Sequence, residues 1–167
     1  LWSKKAIKAA SKYASVNVVA SSEESNFTFV PNTQEWRVDP DSIYFHYVMN
    51  ETIQGLAIRD PISSEIPVIC DMSSCILSEE VDFNNLDLVY AGAQKNIGPA
   101  GLTLVIIKKD FLEKANEDIP DILSYKKNSQ AGSMLNTPPT FAWYLAGKVF
   151  KWLLKKGGVK GIQKENE

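Results

Sequence analysis

The 167-residue sequence contains one histidine and two cysteines, too few for a disulfide framework or for a zinc site built on clustered ligands. Cys70 and Cys75 have no neighbouring cysteine or histidine in the sequence that would complete a metal site. No metal is therefore predicted. Free cysteines often serve as small buried hydrophobes, so both are interpreted as structural thiols in a reducing compartment, which indicates a cytoplasmic protein.

The sequence also lacks an excess of charge of one sign, since 18 basic and 20 acidic residues leave a formal charge of −2. That balance argues against a nucleic-acid or anionic-membrane partner, because both require a cationic surface. No apolar run approaches the ~20 residues of a transmembrane helix, and the residues from Leu1 to Lys5 do not resemble a signal peptide. The glycine-rich loops typical of nucleotide-binding domains are missing as well, so that class is poorly supported. The remaining composition, 44% apolar and 23% charged, is typical of a globular α/β domain.

Hydrophobic patterning predicts short strands alternating with helices, and therefore one layered α/β domain with a mixed sheet. Strands are expected at 16–20, 42–48, 67–70, 86–90 and 102–107, with a brief extended piece at 27–30. The nearly continuous apolar run at 102–107 is expected to have both faces covered. Helices are expected at 4–13 with Ser3 as the cap, from near Asp110, and after Thr137 with Pro138 in the first turn and Gly157-Gly158 as the stop.

The segment YAGAQKNIGPAG at 90–101 is the most informative for chemistry. A predicted strand ends there, small residues turn the chain, and Lys95 precedes a Gly/Pro-rich turn. Small neighbours allow a planar ligand to approach the backbone, and a lysine amine there could bond covalently to a carbonyl ligand. On this segment alone, an ordinary surface lysine on a hairpin is the favoured interpretation.

Asp71 follows an apolar strand, at the position where α/β sheets place ligand-binding residues. An acidic group could pair there with a protonated ring nitrogen, or it could simply accept hydrogen bonds from Ser73 and Ser74 in a turn. The turn Asn50-Glu51-Thr52 could offer polar groups to an anionic ligand, or serve only as a turn. His46, inside an aromatic strand, is interpreted as a packed strand residue, and Trp36, Trp143 and Trp152 are interpreted as packing residues.

Taken together, these segments resemble the phosphoserine aminotransferase family in order and approximate spacing. The resemblance rests on HYVMNET at 46–52, DMSS at 71–74, YAGAQKNIGPAG at 90–101 and NTPP at 136–139, with Trp2-Ser3 matching the start of a helix of that family. It covers nearly the whole chain. It implies a three-layer α/β/α large domain of a fold-type-I pyridoxal-phosphate enzyme, with a mixed, mostly parallel sheet. It also implies transfer of an amino group between glutamate and 3-phosphohydroxypyruvate in serine biosynthesis.

The resemblance also implies residue roles at the matching positions. Lys95 would hold pyridoxal phosphate covalently and then act as the base that moves a proton at the substrate Cα. Asp71 would pair with the pyridine nitrogen, and Trp2 would stack on the ring. Thr52 would lie near the phenolic oxygen, and Gln94 beside the cofactor and its phosphate. Asn136 and Thr137 would reach the phosphate bound by a neighbouring subunit, which implies a homodimer.

Residues 1–167 are expected to be the central part of the large domain, since the family's upstream Gly-Arg and His-Arg segments and its C-terminal small domain have no counterpart here. The substrates would be small amino acids and 2-oxo acids, and the isolated chain is expected to show weak or no turnover. Two alternatives stay open at this point. One is another fold-type-I pyridoxal-phosphate enzyme, and the other is a catalytically incompetent module that only binds or dimerises.

Overall fold

The computed structural model describes residues 1–59 and 62–167. Its strands are β1 (Phe45–Val48), β2 (Asn50–Glu51), β3 (Leu56–Ala57), β4 (Val68–Asp71), β5 (Leu88–Gly92) and β6 (Thr103–Ile107). Its helices are α1 (Trp2–Ala10), α2 (Lys109–Leu112), α3 (Tyr125–Gln130), α4 (Thr140–Lys155) and α5 (Gly158–Asn166). Short 3-10 turns lie at Glu23–Ser25, Thr33–Glu35 and Asp121–Leu123.

A four-stranded sheet in the order β1-β4-β5-β6 organises the molecule. The strands β1, β4 and β5 are parallel, and β6 is antiparallel to β5. The predicted mixed, mostly parallel sheet and the α/β class are therefore confirmed. The antiparallel pair follows from the connection between β5 and β6, which is too short for a crossover helix and carries Lys95 in its turn.

The two faces of this sheet differ in burial. Because side chains alternate along a strand, one face presents the buried core, which comprises Phe45, Tyr47, Val68, Cys70, Val89 and Ala91. Ala146 of α4 belongs to the same core cluster and lies beside Gly98 in the connection between β5 and β6. The opposite face carries the half-buried polar side chains His46, Asp71 and Tyr90. The chemistry-bearing residues are thus segregated from the apolar layer.

Both cysteines are free and buried, as predicted. Burial of the thiols raises the pKa of Cys70 and of Cys75 to about 12 in each case. Trp36 packs on the core and meets Phe45 edge to face at 5.9 Å, which confirms its packing role. Trp143 and Trp152 are instead 38% and 51% exposed on α4, so their interpretation as packing residues is wrong for this chain.

Several predicted local features are wrong. Residues 16–20 and 27–30 form no strand, and Phe27 has a left-handed backbone with φ of 56°. Ser3 lies inside the first turn of α1 instead of capping it, because the helix begins at Trp2. Thr137 does not cap α4 either, since the intervening Pro138-Pro139 keeps the chain extended and the helix begins only at Thr140.

The C-terminal helices and the edge of the sheet also differ from expectation. Gly157, with φ of 91°, ends α4 as predicted, but the chain then forms a further helix, α5, that was not predicted. The strand β6 lies at the edge of the sheet in this chain, and Ile106 is 42% exposed. Its apolar run therefore did not signal coverage of both faces. The predicted helix start near Asp110 is confirmed by α2.

Candidate active site

The candidate site lies where the three parallel strands end. Their carboxyl ends share one edge of the sheet, so the segments after β1, β4 and β5 come together. Asn50 Nδ2 donates to Ser74 Oγ at 2.8 Å, and Ser74 Oγ donates to the Asn50 carbonyl at 2.9 Å. Gly92 N donates to Ser73 Oγ at 3.0 Å. The three segments are therefore cross-linked into a single frame.

Lys95 lies in the turn between β5 and β6, with its neighbours anchored in the core. Ala93 and Ile97 are 0% and 1% exposed, while Lys95 itself is exposed. Gly98 N closes the turn onto the Ala93 carbonyl at 2.8 Å. Lys95 Nζ donates to Thr52 Oγ1 at 2.7 Å, across a separation of 43 residues. The Lys95 amine is therefore accessible at the surface. The turn that carries Lys95 is fixed by the core, and its amine is held by the Thr52 hydroxyl.

Asp71 is the last residue of β4 and is half-buried. Its Oδ1 accepts from Ser73 N at 2.8 Å, so the turn-forming role that the sequence allowed is real. This bond does not compete with ligand binding, because an ionised carboxylate has acceptor capacity for several donors. The side chain faces Tyr90, its partner in the register of β4 and β5.

His46 and Tyr90 form a polar pair behind Asp71 that sequence reasoning missed. His46 Nε2 lies 3.0 Å from Tyr90 Oη, and the two rings stack with centroids 6.0 Å apart. Burial lowers the pKa of His46, against an opposing effect of the Asp71 carboxylate. Burial raises the pKa of Tyr90, and Asp71 raises it further through its charge and a hydrogen bond. The interpretation of His46 as a packed strand residue is incomplete, because the register of the strands places its side chain on the same face of the sheet as Asp71.

Trp2 is half-exposed at the start of α1, and Glu51 holds this start against the turn that carries Thr52. Glu51 Oε2 accepts from Trp2 N at 2.9 Å, and Glu51 Oε1 accepts from Ser3 N at 2.7 Å. Glu51 was noticed in the sequence only as a member of the turn. A contact across 49 residues has no signature in local spacing, so only the fold could show it.

Gln94 is exposed next to Lys95, and its amide folds back over Gly92. A Cβ at position 92 would collide with that amide, so the glycine leaves room for this conformation. Asn136 and Thr137 are exposed just before α4. Within the described part of the chain, no hydrogen bond joins either of them to Lys95, Thr52 or Asp71. One region of the structure therefore contains most of the predicted site: Lys95, Thr52, Asp71, Gln94 and the start of α1. Asn136 and Thr137 have no direct hydrogen bond to this region among the described residues.

Among residues 1–59 and 62–167, no helix is both long enough and apolar enough to cross a membrane.

The chain is similar in sequence to curated phosphoserine aminotransferases. The chain is 54% identical over 168 residues to the phosphoserine aminotransferase of Chromobacterium violaceum and 51% identical over 167 residues to that of Hahella chejuensis. Each comparison covers 99% of this chain and 46% of the relative. The chain therefore spans about half the length of the curated relatives that it matches.

Solved structures agree. The phosphoserine aminotransferase of Bacillus circulans subsp. alkalophilus superposes with a TM-score of 0.96 at 40% identity, over 99% of this chain and 46% of that one. A pyridoxal-phosphate-bound phosphoserine aminotransferase from Trichomonas vaginalis superposes with a TM-score of 0.92 at 38% identity, over 99% and 50%. These matches confirm the predicted α/β fold class. The model of the aminotransferase class-V family matches residues 1–167, and the chain belongs to that family.

Proposed function

We propose that residues 1–167 form the central part of the cofactor-binding large domain of a phosphoserine aminotransferase. The protein that contains them would exchange an amino group between glutamate and 3-phosphohydroxypyruvate, giving 2-oxoglutarate and O-phosphoserine in serine biosynthesis. The observation that carries the proposal is the contact of Lys95 Nζ with Thr52 Oγ1 at 2.7 Å, at the edge of the sheet where β4 ends with Asp71. Relatives at 54% and 51% identity with that name add support.

Pyridoxal phosphate fits the donor set of this edge. It requires an amine for covalent attachment and an acid for its ring nitrogen, and Lys95 and Asp71 offer these groups. Both are anchored by frame contacts, Asp71 through Ser73 N and Lys95 through Thr52 Oγ1. One solved relative is described by radiation damage to its Schiff base and another as bound to pyridoxal phosphate, which supports the same cofactor here.

Each residue would have a distinct task. Lys95 Nζ would hold the cofactor and, after the substrate amine displaces it, accept the proton from the substrate Cα. Asp71 would keep the ring nitrogen protonated, with Tyr90 and His46 behind it limiting water around that carboxylate. Bound pyridoxal phosphate supplies an electron-withdrawing ring that stabilises negative charge at that carbon. Trp2 would cover one face of the ring, and Thr52 and Gln94 would orient its polar edge.

A homodimer would complete the site. Asn136 and Thr137 are exposed before α4, at a place where a neighbouring subunit could reach them. Large apolar side chains on α4 are exposed as well, with Phe141 at 72% and Tyr144 at 59%, which supports a covered surface in the assembly.

Two free buried cysteines fit a reducing environment, and the cytoplasm is the compartment that we propose.

The test is to add pyridoxal phosphate to the purified protein, reduce with borohydride and locate the modified lysine by peptide mass spectrometry. Label is expected on Lys95 alone, lost in Lys95→Ala and retained in Lys148→Ala, which removes an exposed lysine of α4. Exchange between phosphoserine and 2-oxoglutarate by the full-length protein then tests the substrates. If the full-length protein showed no label on Lys95 and no exchange between phosphoserine and 2-oxoglutarate, the proposal would be overturned.

A further inference from the structure

Glu51 has no role in the proposed chemistry, yet it makes more polar contacts than any residue assigned to the site. Its carboxylate accepts from Trp2 N at 2.9 Å, Ser3 N at 2.7 Å and Ser3 Oγ at 2.6 Å. The side chain is only 16% exposed, so these bonds lie largely out of water. Charge-assisted bonds of this kind are stronger than neutral ones.

These contacts supply a cap that α1 cannot provide for itself. The first N–H groups of a helix have no partner within the helix, and no side chain beside α1 fills that role. A carboxylate also suits the positive end of the helix dipole. Glu51 therefore fixes the beginning of α1 to a segment that lies 48 residues further along the chain.

That segment is the one that meets Lys95. Thr52 follows Glu51 directly, and its Oγ1 accepts from Lys95 Nζ at 2.7 Å. A short chain of contacts thus runs from the backbone of Trp2 through Glu51 and Thr52 to the amine. If the start of α1 moved, the Trp2 indole would move with respect to Thr52 and the Lys95 amine.

We propose that Glu51 is a positioning residue of the cofactor site: its carboxylate holds Trp2 in register with Thr52 and Lys95, so that the indole is placed to stack on the ring before the cofactor binds. This inference rests on the proposed function. Preorganisation of this kind raises affinity because less ordering remains to be done on binding.

The charge state of Glu51 suits the task. Burial alone would raise the pKa of Glu51, but the bonds donated by the Ser3 hydroxyl and by the Ser3 and Trp2 N–H groups hold that pKa at about 2. The group is therefore a carboxylate at neutral pH, with both oxygens available as acceptors.

The variant Glu51→Gln tests the clamp, since it keeps the size but replaces one acceptor oxygen with an NH2 group that faces donors. The matched control is Glu23→Gln. It removes an exposed ion pair between Glu23, which lies outside α1, and Lys4, which lies in α1. Without cofactor, hydrogen exchange of residues 1–10 is expected to speed up in Glu51→Gln and to stay unchanged in Glu23→Gln. Equal exchange in both variants would overturn the clamp.

Cofactor affinity tests the positioning role on the same protein that is labelled at Lys95. Glu51→Gln is expected to bind pyridoxal phosphate roughly tenfold more weakly, the loss that ~1.4 kcal/mol produces, and Glu23→Gln as tightly as the wild type. In a Trp2→Ala background, Glu51→Gln is expected to cause no further loss, because its effect acts through the indole. An unchanged Kd in Glu51→Gln, or losses that simply add, would overturn the proposal. Absence of binding by the wild type would instead remove the proposed function, while the exchange experiment would still report on the clamp.

Discussion

At the scale of single residues, the acid of the site is set by its neighbours. Asp71, Tyr90 and His46 come from three adjacent strands and share one face of the sheet. The Tyr90 hydroxyl stays protonated because burial and the Asp71 charge both raise its pKa, so it can donate to one partner and accept from another. A network of this kind fixes the orientation of the carboxylate that would meet the ring nitrogen.

His46 gives a direct measurement of this network, since it is the only histidine in the chain. Its pKa is lowered from 6.5 by burial, while Asp71 acts to raise it. We expect the single imidazole signal in NMR to titrate below 6.5, and the variant Asp71→Asn to lower that pKa further because the opposing charge is gone. The unfolded chain then binds more protons than the folded one below pH 6.5. Stability should therefore fall on acidification through the window between 6.5 and the folded pKa.

A contrary result is easy to recognise in that experiment. A pKa at or above 6.5, or an upward shift in Asp71→Asn, would show that His46 is not buried beside an ionised Asp71. The variant Asp39→Asn, at an exposed residue before β1, provides the control and should leave the His46 titration in place.

At the scale of elements, patterning predicted the sheet better than it predicted the helix ends. The strands β1, β4 and β5 coincide with apolar runs because each contributes alternate side chains to one buried face, and β6 packs Leu104 against it. Positions 16–20 show the same β-branched pattern but form no strand, since no neighbouring strand pairs with them among the described residues. Caps failed for a related reason. A distant carboxylate, Glu51, occupies the place that local spacing assigned to Ser3.

The turn between β5 and β6 depends on backbone freedom, which can be tested at Gly101. Its φ is +99°, a conformation that L side chains rarely adopt, although a Cβ would meet nothing within 4 Å. The variant Gly101→Ala should therefore lose roughly 1–2 kcal/mol of unfolding free energy through strain alone. Gly147→Ala is the control in helix α4, where the Cβ also finds open space and the helix should gain about 0.5–1 kcal/mol.

Denaturant unfolding of the two alanine variants measures the difference. Equal changes at the two positions would mean that φ at position 101 is not constrained by the turn. A further expectation is that Gly101→Ala weakens labelling of Lys95, because both lie in the same connection between β5 and β6.

At the scale of the whole molecule, the hydrogen-bonded frame around Lys95 does not include the residues before α4 among the described parts of the chain. Asn136 and Thr137 are exposed and lie outside the hydrogen-bonded frame around Lys95. The family resemblance implies that these two residues reach the phosphate bound by a neighbouring subunit. The exposed aromatic side chains of α4, among them Phe141 and Trp152, could not be anticipated from periodicity. A helical apolar stripe predicts burial without saying which surface provides it.

Subunit mixing tests whether two chains build each site. In the full-length protein, Lys95→Ala removes the amine, and the double variant Asn136→Ala with Thr137→Val removes the groups proposed to reach the neighbour's phosphate. Each variant alone is expected to lose tight cofactor binding. When the two are unfolded together and refolded at equal amounts, half of the dimers should be hybrids with one intact site, so about a quarter of the sites should recover. No recovery on mixing, with dimers present by sedimentation, would mean that each site is completed within a single chain.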